Sequence, residues 1–326
     1  MSSIGRREFL AGGAASVASA PLLGSSALAD TAATSVTEAI SYPYQDGRSP
    51  WPLVLNASTV RHVGTEEKIR VAEVAGWDGI ELWIDDLEGY EEGGGDLKEL
   101  GAEILDRGLY VPNIIGLWNG MPETPEAFEE SLEATRRRMR QVSEVGSPFV
   151  AAIPLPDRPN FDFEWGIEMY RELLRIGRED YGITVAFEFV GFLQGVHRLG
   201  QATAIALDVD DAEACLIMDT FHLFRGGSGF NGIKHLQGNF FADFHWNDVP
   251  GDMPREDMGD GDRILPGDGV LPLVQVLKDL HAIGYKRCLS LELFSQALWE
   301  RDAEEVSQLG IEKMRANLDA AGFWKS

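Results

Sequence analysis

Apolar residues along this chain gather in short runs, separated by longer segments with helical spacing. Eight runs, at 53–57, 79–83, 109–114, 149–153, 183–189, 214–218, 240–246 and 288–293, are rich in aliphatic and aromatic residues and lack regular polar alternation. Near-continuous apolar strands of this length belong to parallel sheets covered on both faces. The intervening segments carry helix signals. Thr65 precedes Glu66 and Glu67, and Ile69, Ala72 and Ala75 form a stripe that ends before Gly76. Thr124-Pro125-Glu126 combines an N-cap, a proline at the first helical position and an acid at the positive end of the helix dipole. Phe128, Leu132, Met139 and Val142 then share a face, and Gly146 offers a C-terminal stop. Val306, Leu309, Met314 and Leu318 give the last helix the same character. Eight strand–helix units predict an α/β fold, a (β/α)8 TIM barrel over residues 51–326. The rival is an open doubly wound sheet. No Gly-x-Gly-x-x-Gly follows the first run, and Gly93, Gly94 and Gly95 sit in an acidic loop without the strand a phosphate-binding turn needs.

The N-terminus stands outside that pattern. Arg6 and Arg7 precede a small and apolar run that closes on Ala27-Leu28-Ala29, a small-x-small cleavage pattern. Residues 1–29 therefore predict a twin-arginine signal peptide, the Tat export machinery as a partner, and a periplasmic or extracellular destination. Residues 30–50 form a lead-in. No other segment has the length of an apolar membrane span, so no stable insertion is expected after the signal is removed. With 53 acidic against 28 basic residues the net charge is −25, which opposes binding to nucleic acid or anionic membranes. Cys215 and Cys288 each open an apolar run and are expected to be free and buried; export would permit a disulfide, but no CxxC pair is present.

Polar residues interrupt the late runs where barrel strands deliver side chains to the mouth. Glu188 lies in Val-Ala-Phe-Glu-Phe, Asp219 follows Leu-Ile-Met, His245 lies in Asp-Phe-His-Trp, and Glu292 lies in Leu-Ser-Leu-Glu-Leu. A carboxylate in an apolar strand is costly unless compensated. Two glutamates, an aspartate and a histidine at corresponding strand ends suit one divalent metal ion, Mn2+ first and Mg2+, Co2+ or Zn2+ as alternatives. The arginines able to neutralise the acids, Arg225, Arg255 and Arg263, all lie in loops, and one loop arginine would not balance three acids. A metal chelated by adjacent substrate oxygens would polarise a carbonyl, with Glu188 and Glu292 as an acid/base pair at carbon. His222 and Arg263 are candidates for holding substrate oxygens. Glu81, in Gly-Ile-Glu-Leu-Trp, is expected to line the substrate site or anchor a loop, and Asp248 is a further substrate-binding candidate. Asn56, Asn113 and Asp248 either stand at the mouth or satisfy loop backbones, and Trp83, Trp118 and Trp246 either wall the pocket or pack in the core. The Asp-, Met- and Gly-rich loop 250–261 is expected to cover the mouth, to make an oligomer contact or to be a solvated acidic loop.

Asp219-Thr-Phe-His222, the Phe189-flanked Glu188, His245 with Asp248, Arg263-Ile-Leu-Pro-Gly-Asp-Gly269 and Leu291-Glu292 resemble the xylose isomerase-like barrel superfamily, in particular its sugar phosphate isomerase/epimerase branch. The resemblance runs from Leu53 to the final helix. It implies a metal held by Glu188, Asp219, His245 and Glu292, the two glutamates as acid and base, and His222 and Arg263 on substrate oxygens. The expected activity is isomerisation or epimerisation of a free sugar or keto-sugar, a small polyhydroxylated substrate, through an enediolate. Dehydration of a keto-sugar or inosose is the alternative, and a nonenzymatic sugar-binding barrel with a structural metal is a third reading. The superfamily's type IV apurinic endonucleases fit less well: early-strand histidines are not evident, Ile264 stands where their motif places a histidine, and the acidic surface opposes DNA. Barrels of this kind often associate, which leaves a homo-oligomer open.

Overall fold

In the computed structural model, residues 44–325 are described; the signal-peptide expectation and most of the lead-in lie outside them. Eight parallel strands, β1 Leu53–Asn56, β2 Gly79–Trp83, β3 Ile114–Leu117, β4 Phe149–Ala152, β5 Thr184–Glu188, β6 Cys215–Asp219, β7 Phe241–Trp246 and β8 Leu289–Leu291, close into a barrel in sequence order. Helices α1 Thr65–Ala75, α2 Ile84–Glu92, α3 Leu97–Asp106, α4 Pro125–Glu144, α5 Phe163–Ile176, α6 Leu199–Asp208, α7 Thr220–Arg225, α8 Leu273–Ala282, α9 Gln296–Trp299 and α10 Ala303–Ala321 connect and surround the strands. The expected (β/α)8 barrel is the observed fold.

The expected third strand is displaced towards the C-terminus, from 109–114 to Ile114–Leu117. The chain already meets the barrel wall at Tyr110, whose carbonyl accepts the Ile80 N–H at 2.8 Å. Pro112 then has no N–H to give, so regular pairing begins only at Ile114. The close approach requires Gly79, because a Cβ there would lie 2.6 Å from the Tyr110 oxygen. Helix ends follow the sequence signals more closely. Thr124 caps α4 by accepting the Ala127 N–H at 3.3 Å, and Gly76 closes α1 at φ +78°. At α1 the cap is Gly64, with Thr65 as the first helical residue.

Two apolar layers result from the strand period of two. Leu53, Leu55, Ile80, Leu82, Val185, Phe187, Leu216, Met218, Phe244 and Trp246 face outward and pack beneath the helices. Ile115, Ala151, Ala186, Cys215, Ile217 and Ala242 fill the inside of the barrel. Each fully buried large aliphatic or aromatic side chain contributes about 1.5–3 kcal/mol. The same alternation turns Glu81, Glu188, Asp219 and His245 inward, with Glu292 just past β8. Trp246 belongs to the helix layer, which settles its role as packing. Cys215 and Cys288 are free and buried. No described helix is long and apolar enough to cross a membrane.

Candidate active site

Asp219 ends β6 and caps α7: its Oδ1 accepts the Phe221 and His222 N–H groups at 2.6 and 3.1 Å. The cap fixes the carboxylate and sets His222 three residues along, at the site. Oδ2 is left free to accept from Arg263 Nη1 at 2.7 Å. Arg263 Nη1 also donates to Glu292 at 2.5 Å, and Nη2 donates to Asp260 at 2.5 Å. The guanidinium lies between the Phe221 and Phe294 rings, 4.8 and 4.9 Å from their centroids, and is buried. One loop arginine thus reaches the acids without balancing all three, since Glu188 has no arginine partner among the described residues. The loop after β7 folds Arg263 into the barrel, where it pairs with two of the three carboxylates.

His245 sits at the centre. Its Nδ1 lies 3.2 Å from Glu188, 3.2 Å from Glu292 and 3.7 Å from Asp219. None of these contacts has hydrogen-bond geometry, so a buried nitrogen faces three carboxylates without a partner. One imidazole and three carboxylates form a donor set suited to a hard or borderline divalent cation, and the orphaned nitrogen shows that this one fits. Ligand atoms of Glu188, Asp219 and His245 lie within 4.8 Å of one another. Glu81, Asp243 and His245 form a second such group. There, however, both Glu81 oxygens are already occupied by donors from Asn56, Asn113, Ser290 and His245. The upper group is the one with ligand capacity to spare.

The electrostatics of the metal-free site follow from burial against these pairings. Burial pushes the Glu188 carboxyl up to about 7, with Glu292 and Asp219 adding to the effect and His245 opposing it. Burial also disfavours charge on Asp219, but Arg263 and the two histidines outweigh it and hold that carboxyl well below the usual range. On His245 burial is again outweighed, by Glu292, Glu81 and Glu188, and the imidazole is raised well above its ordinary value. His222 moves the other way, down to about 4, through burial and the nearby Arg263. It is therefore neutral near pH 7. Its Nε2 accepts from Arg263 Nη2 at 3.2 Å, which puts the proton on Nδ1, a buried atom without a protein partner.

A cavity of about 170 Å3 opens over these groups. One side is formed by Glu188, His222, Asp260, Arg263 and Glu292, the other by Trp83, Ile115, Trp118, Ile153 and Leu155. Trp83 is fixed by donating its indole N–H to Asn56 at 2.9 Å and packs 5.6 Å from Trp118.

The structure therefore brings together Glu188, Asp219, His245, Glu292, His222 and Arg263, and separates the other two substrate-binding candidates from the cavity. Asp248 is buried and spends its carboxylate on the N–H groups of Val249, Gly267, Gly269 and Leu271 at 2.9–3.1 Å. It ties the loop after β7 rather than reaching the cavity. Glu81 is fully buried against the far edge of the His245 ring, from which no substrate is reachable. Asn56 and Asn113, mouth or loop-backbone candidates in the sequence, also serve Glu81. Ser290, Asp243 and Asp260 were not singled out. Ser290 and Asp243 stand two residues before Glu292 and His245, so strand alternation carried the signal that they share the inner face. Burial and the nearby Glu81 push the Asp243 carboxyl well above the usual range, and its Oδ1 accepts from Cys288 Sγ at 3.0 Å. Asp260 lies in the 250–261 loop, which does border the cavity, but no sequence period marks it.

A closed barrel with a carboxylate–histidine cluster at the ends of its last four strands defines a metal-site barrel of the sugar-isomerase type. The chain belongs to the xylose isomerase-like TIM barrel family, whose model matches residues 69–317. It is 28% identical over 268 residues to an inosose isomerase of Bacillus velezensis, covering 80% of this chain and 94% of that one. It is 27% identical over 252 residues to a 3-dehydroshikimate dehydratase of Pseudomonas aeruginosa, covering 73% of this chain and 37% of the longer relative. Among solved structures, the IolI protein with a bound zinc atom superposes with a TM-score of 0.76 at 25% identity, over 84% of this chain and 99% of that one. The cluster and these relatives together mark the chain as a metal-dependent enzyme.

Proposed function

We propose that this chain is a divalent-metal-dependent isomerase or epimerase of a keto-sugar or cyclic keto-polyol. The observation that carries the proposal is the convergence of Glu188, Asp219 and Glu292 on the unpartnered Nδ1 of His245. A divalent ion held by these four residues, with Mn2+ our first choice, would supply Lewis-acid polarisation of a substrate carbonyl. Glu188 accepts a proton from the carbon beside that carbonyl. The electron pair left on carbon passes into an enediolate. Arg263 holds the negative oxygen, and His222 Nδ1–H donates to a neighbouring hydroxyl. Glu292, after taking a proton from solvent, delivers it to carbon to give an isomer or epimer, and Glu188 returns its own proton to solvent to reset the site.

Dehydration is the second reading, favoured by the similarity to a 3-dehydroshikimate dehydratase. It shares the first proton transfer and differs in expelling a β-hydroxyl. We place the enzyme outside the cytoplasm, on the twin-arginine pattern of residues 1–29.

Incubation of the metal-loaded protein in D2O with inososes, ketoses and 3-keto sugars tests the proposal. Carbon-bound deuterium that enters only with metal present, and fails to enter in Glu188→Gln, supports it. Product stereochemistry or loss of a hydroxyl separates the two reactions. Ligand binding without exchange across the panel would favour the nonenzymatic sugar-binding reading.

A further inference from the structure

We infer that Glu81 is a positioning residue for metal capture, which it serves by fixing the tautomer and orientation of His245. The inference rests on the reading that the cluster beside His245 holds a divalent cation. A ligating imidazole must present a lone pair, so its other nitrogen must carry the proton and needs an acceptor. Glu81 Oε1 lies 3.1 Å from His245 Nε2, on the ring edge opposite the carboxylate cluster. With Nε2–H donated there, Nδ1 is bare and faces Glu188, Asp219 and Glu292.

Glu81 is itself locked. Oε1 also accepts from Asn113 Nδ2 at 2.7 Å, and Oε2 accepts from Asn56 Nδ2 at 2.7 Å and Ser290 Oγ at 2.5 Å. Four donors fill the roughly four acceptor positions of an ionised carboxylate. Three of them are neutral side chains carried on or beside three separate strands. Asn56 is oriented in turn, its oxygen accepting from Trp83 Nε1 and the Ser58 N–H, both at 2.9 Å. The carboxylate therefore has neither a free lone pair for a second ion nor room to rotate. Complete burial excludes it from substrate, so its effect passes through His245.

Competition with a chromophoric chelator gives the dissociation constants of wild type, Glu81→Gln and Ser290→Ala for Mn2+ and Zn2+. Thermal melting of each metal-free protein reports folding. Long-range 15N NMR of the zinc-loaded wild type reads the His245 ring. The expected results are dissociation constants raised about 10–100-fold in Glu81→Gln and by less than about tenfold in Ser290→Ala. The ring is expected to carry its proton on Nε2. Wild-type affinity in a folded Glu81→Gln overturns the inference while leaving the metal site standing; a ring protonated on Nδ1 overturns the inference and also removes His245 from the ligand set. A wild type that binds neither ion overturns both. Should Glu81→Gln fail to fold, the wild-type ring decides: a proton on Nε2 supports the inference and a proton on Nδ1 overturns it.

Discussion

The two arcs of the barrel mouth differ in kind. Strands β5 to β8 and the loops after them contribute Glu188, Asp219, His222, His245, Arg263 and Glu292 together with the apolar Val190, Phe192, Leu193 and Phe294, whereas β2 to β4 and their loops line the cavity with Trp83, Ile115, Trp118, Ile153 and Leu155 and no charged group. The charged arc holds mutually compensating groups: a guanidinium on Asp219, Glu292 and Asp260, and an imidazole facing Glu188, Asp219 and Glu292. The apolar arc offers ring faces and aliphatic surface, and the nearby early-strand polar residues Asn56, Glu81 and Asn113 are tied to one another away from the cavity. Reactive chemistry is thereby confined to one side, and the other side can sort substrates by shape without competing for the cation.

The sharpest way to break this division is to disable the charged arc alone. Glu188→Gln or Glu292→Gln should lower kcat by about 10²–10⁴, the range of general acid–base catalysis, measured at saturating metal so that lost occupancy is not mistaken for lost proton transfer. Arg263→Lys keeps the charge but loses the fork whose Nη1 serves Asp219 and Glu292 and whose Nη2 serves His222 and Asp260. A fall of roughly 10² in kcat with a smaller change in KM is expected, in keeping with loss of an oxyanion donor. On the opposite arc, Trp118→Ala should raise KM by up to about tenfold, a ring contact contributing about 0.5–1.5 kcal/mol, with kcat little altered. A kcat loss there comparable to that of Glu188→Gln would erase the distinction between the arcs.

The smallest effect expected is on stability in the absence of metal. Raised His245 contributes stability below its ordinary value of 6.5 that is lost as pH rises through its higher folded value. Glu188, raised from 4.5 to about 7, loses its contribution across that interval. His222, lowered from 6.5 to about 4, gains stability over nearly the same range and offsets Glu188. The clean window therefore lies above about pH 6.5, where the melting temperature of chelator-treated protein should fall as pH rises. Bound metal, taking the place of the proton on His245, should flatten that slope. A rising slope in that window would contradict the electrostatics of the charged arc.

The arcs were also unequally legible in the sequence. Glu188, Asp219, His245 and Glu292 stand out because an acid or imidazole in an apolar strand demands compensation. Ile115, Ile153 and Leu155 carry no comparable mark, since a pocket wall and a core use the same residues. Glu81 shows the limit of the argument: its position in an apolar run signals a compensated charge, but not that the compensation comes from His245 and three neutral donors. For Asp248 the sequence left a mouth position and a loop-backbone acceptor equally open, and the structure shows the second, because residue spacing does not reveal which backbone groups a loop must satisfy. The strands were readable from apolar runs except β3, where Pro112 interrupts pairing inside an apolar stretch.

Elemental analysis of the purified full-length protein beside His245→Ala, after dialysis against trace metal and with melting curves for both, addresses the charged arc most directly. The account predicts about one divalent ion per wild-type chain and a large loss of occupancy in the folded variant. A folded wild type that retains no ion, or a variant that retains a full complement, would contradict it.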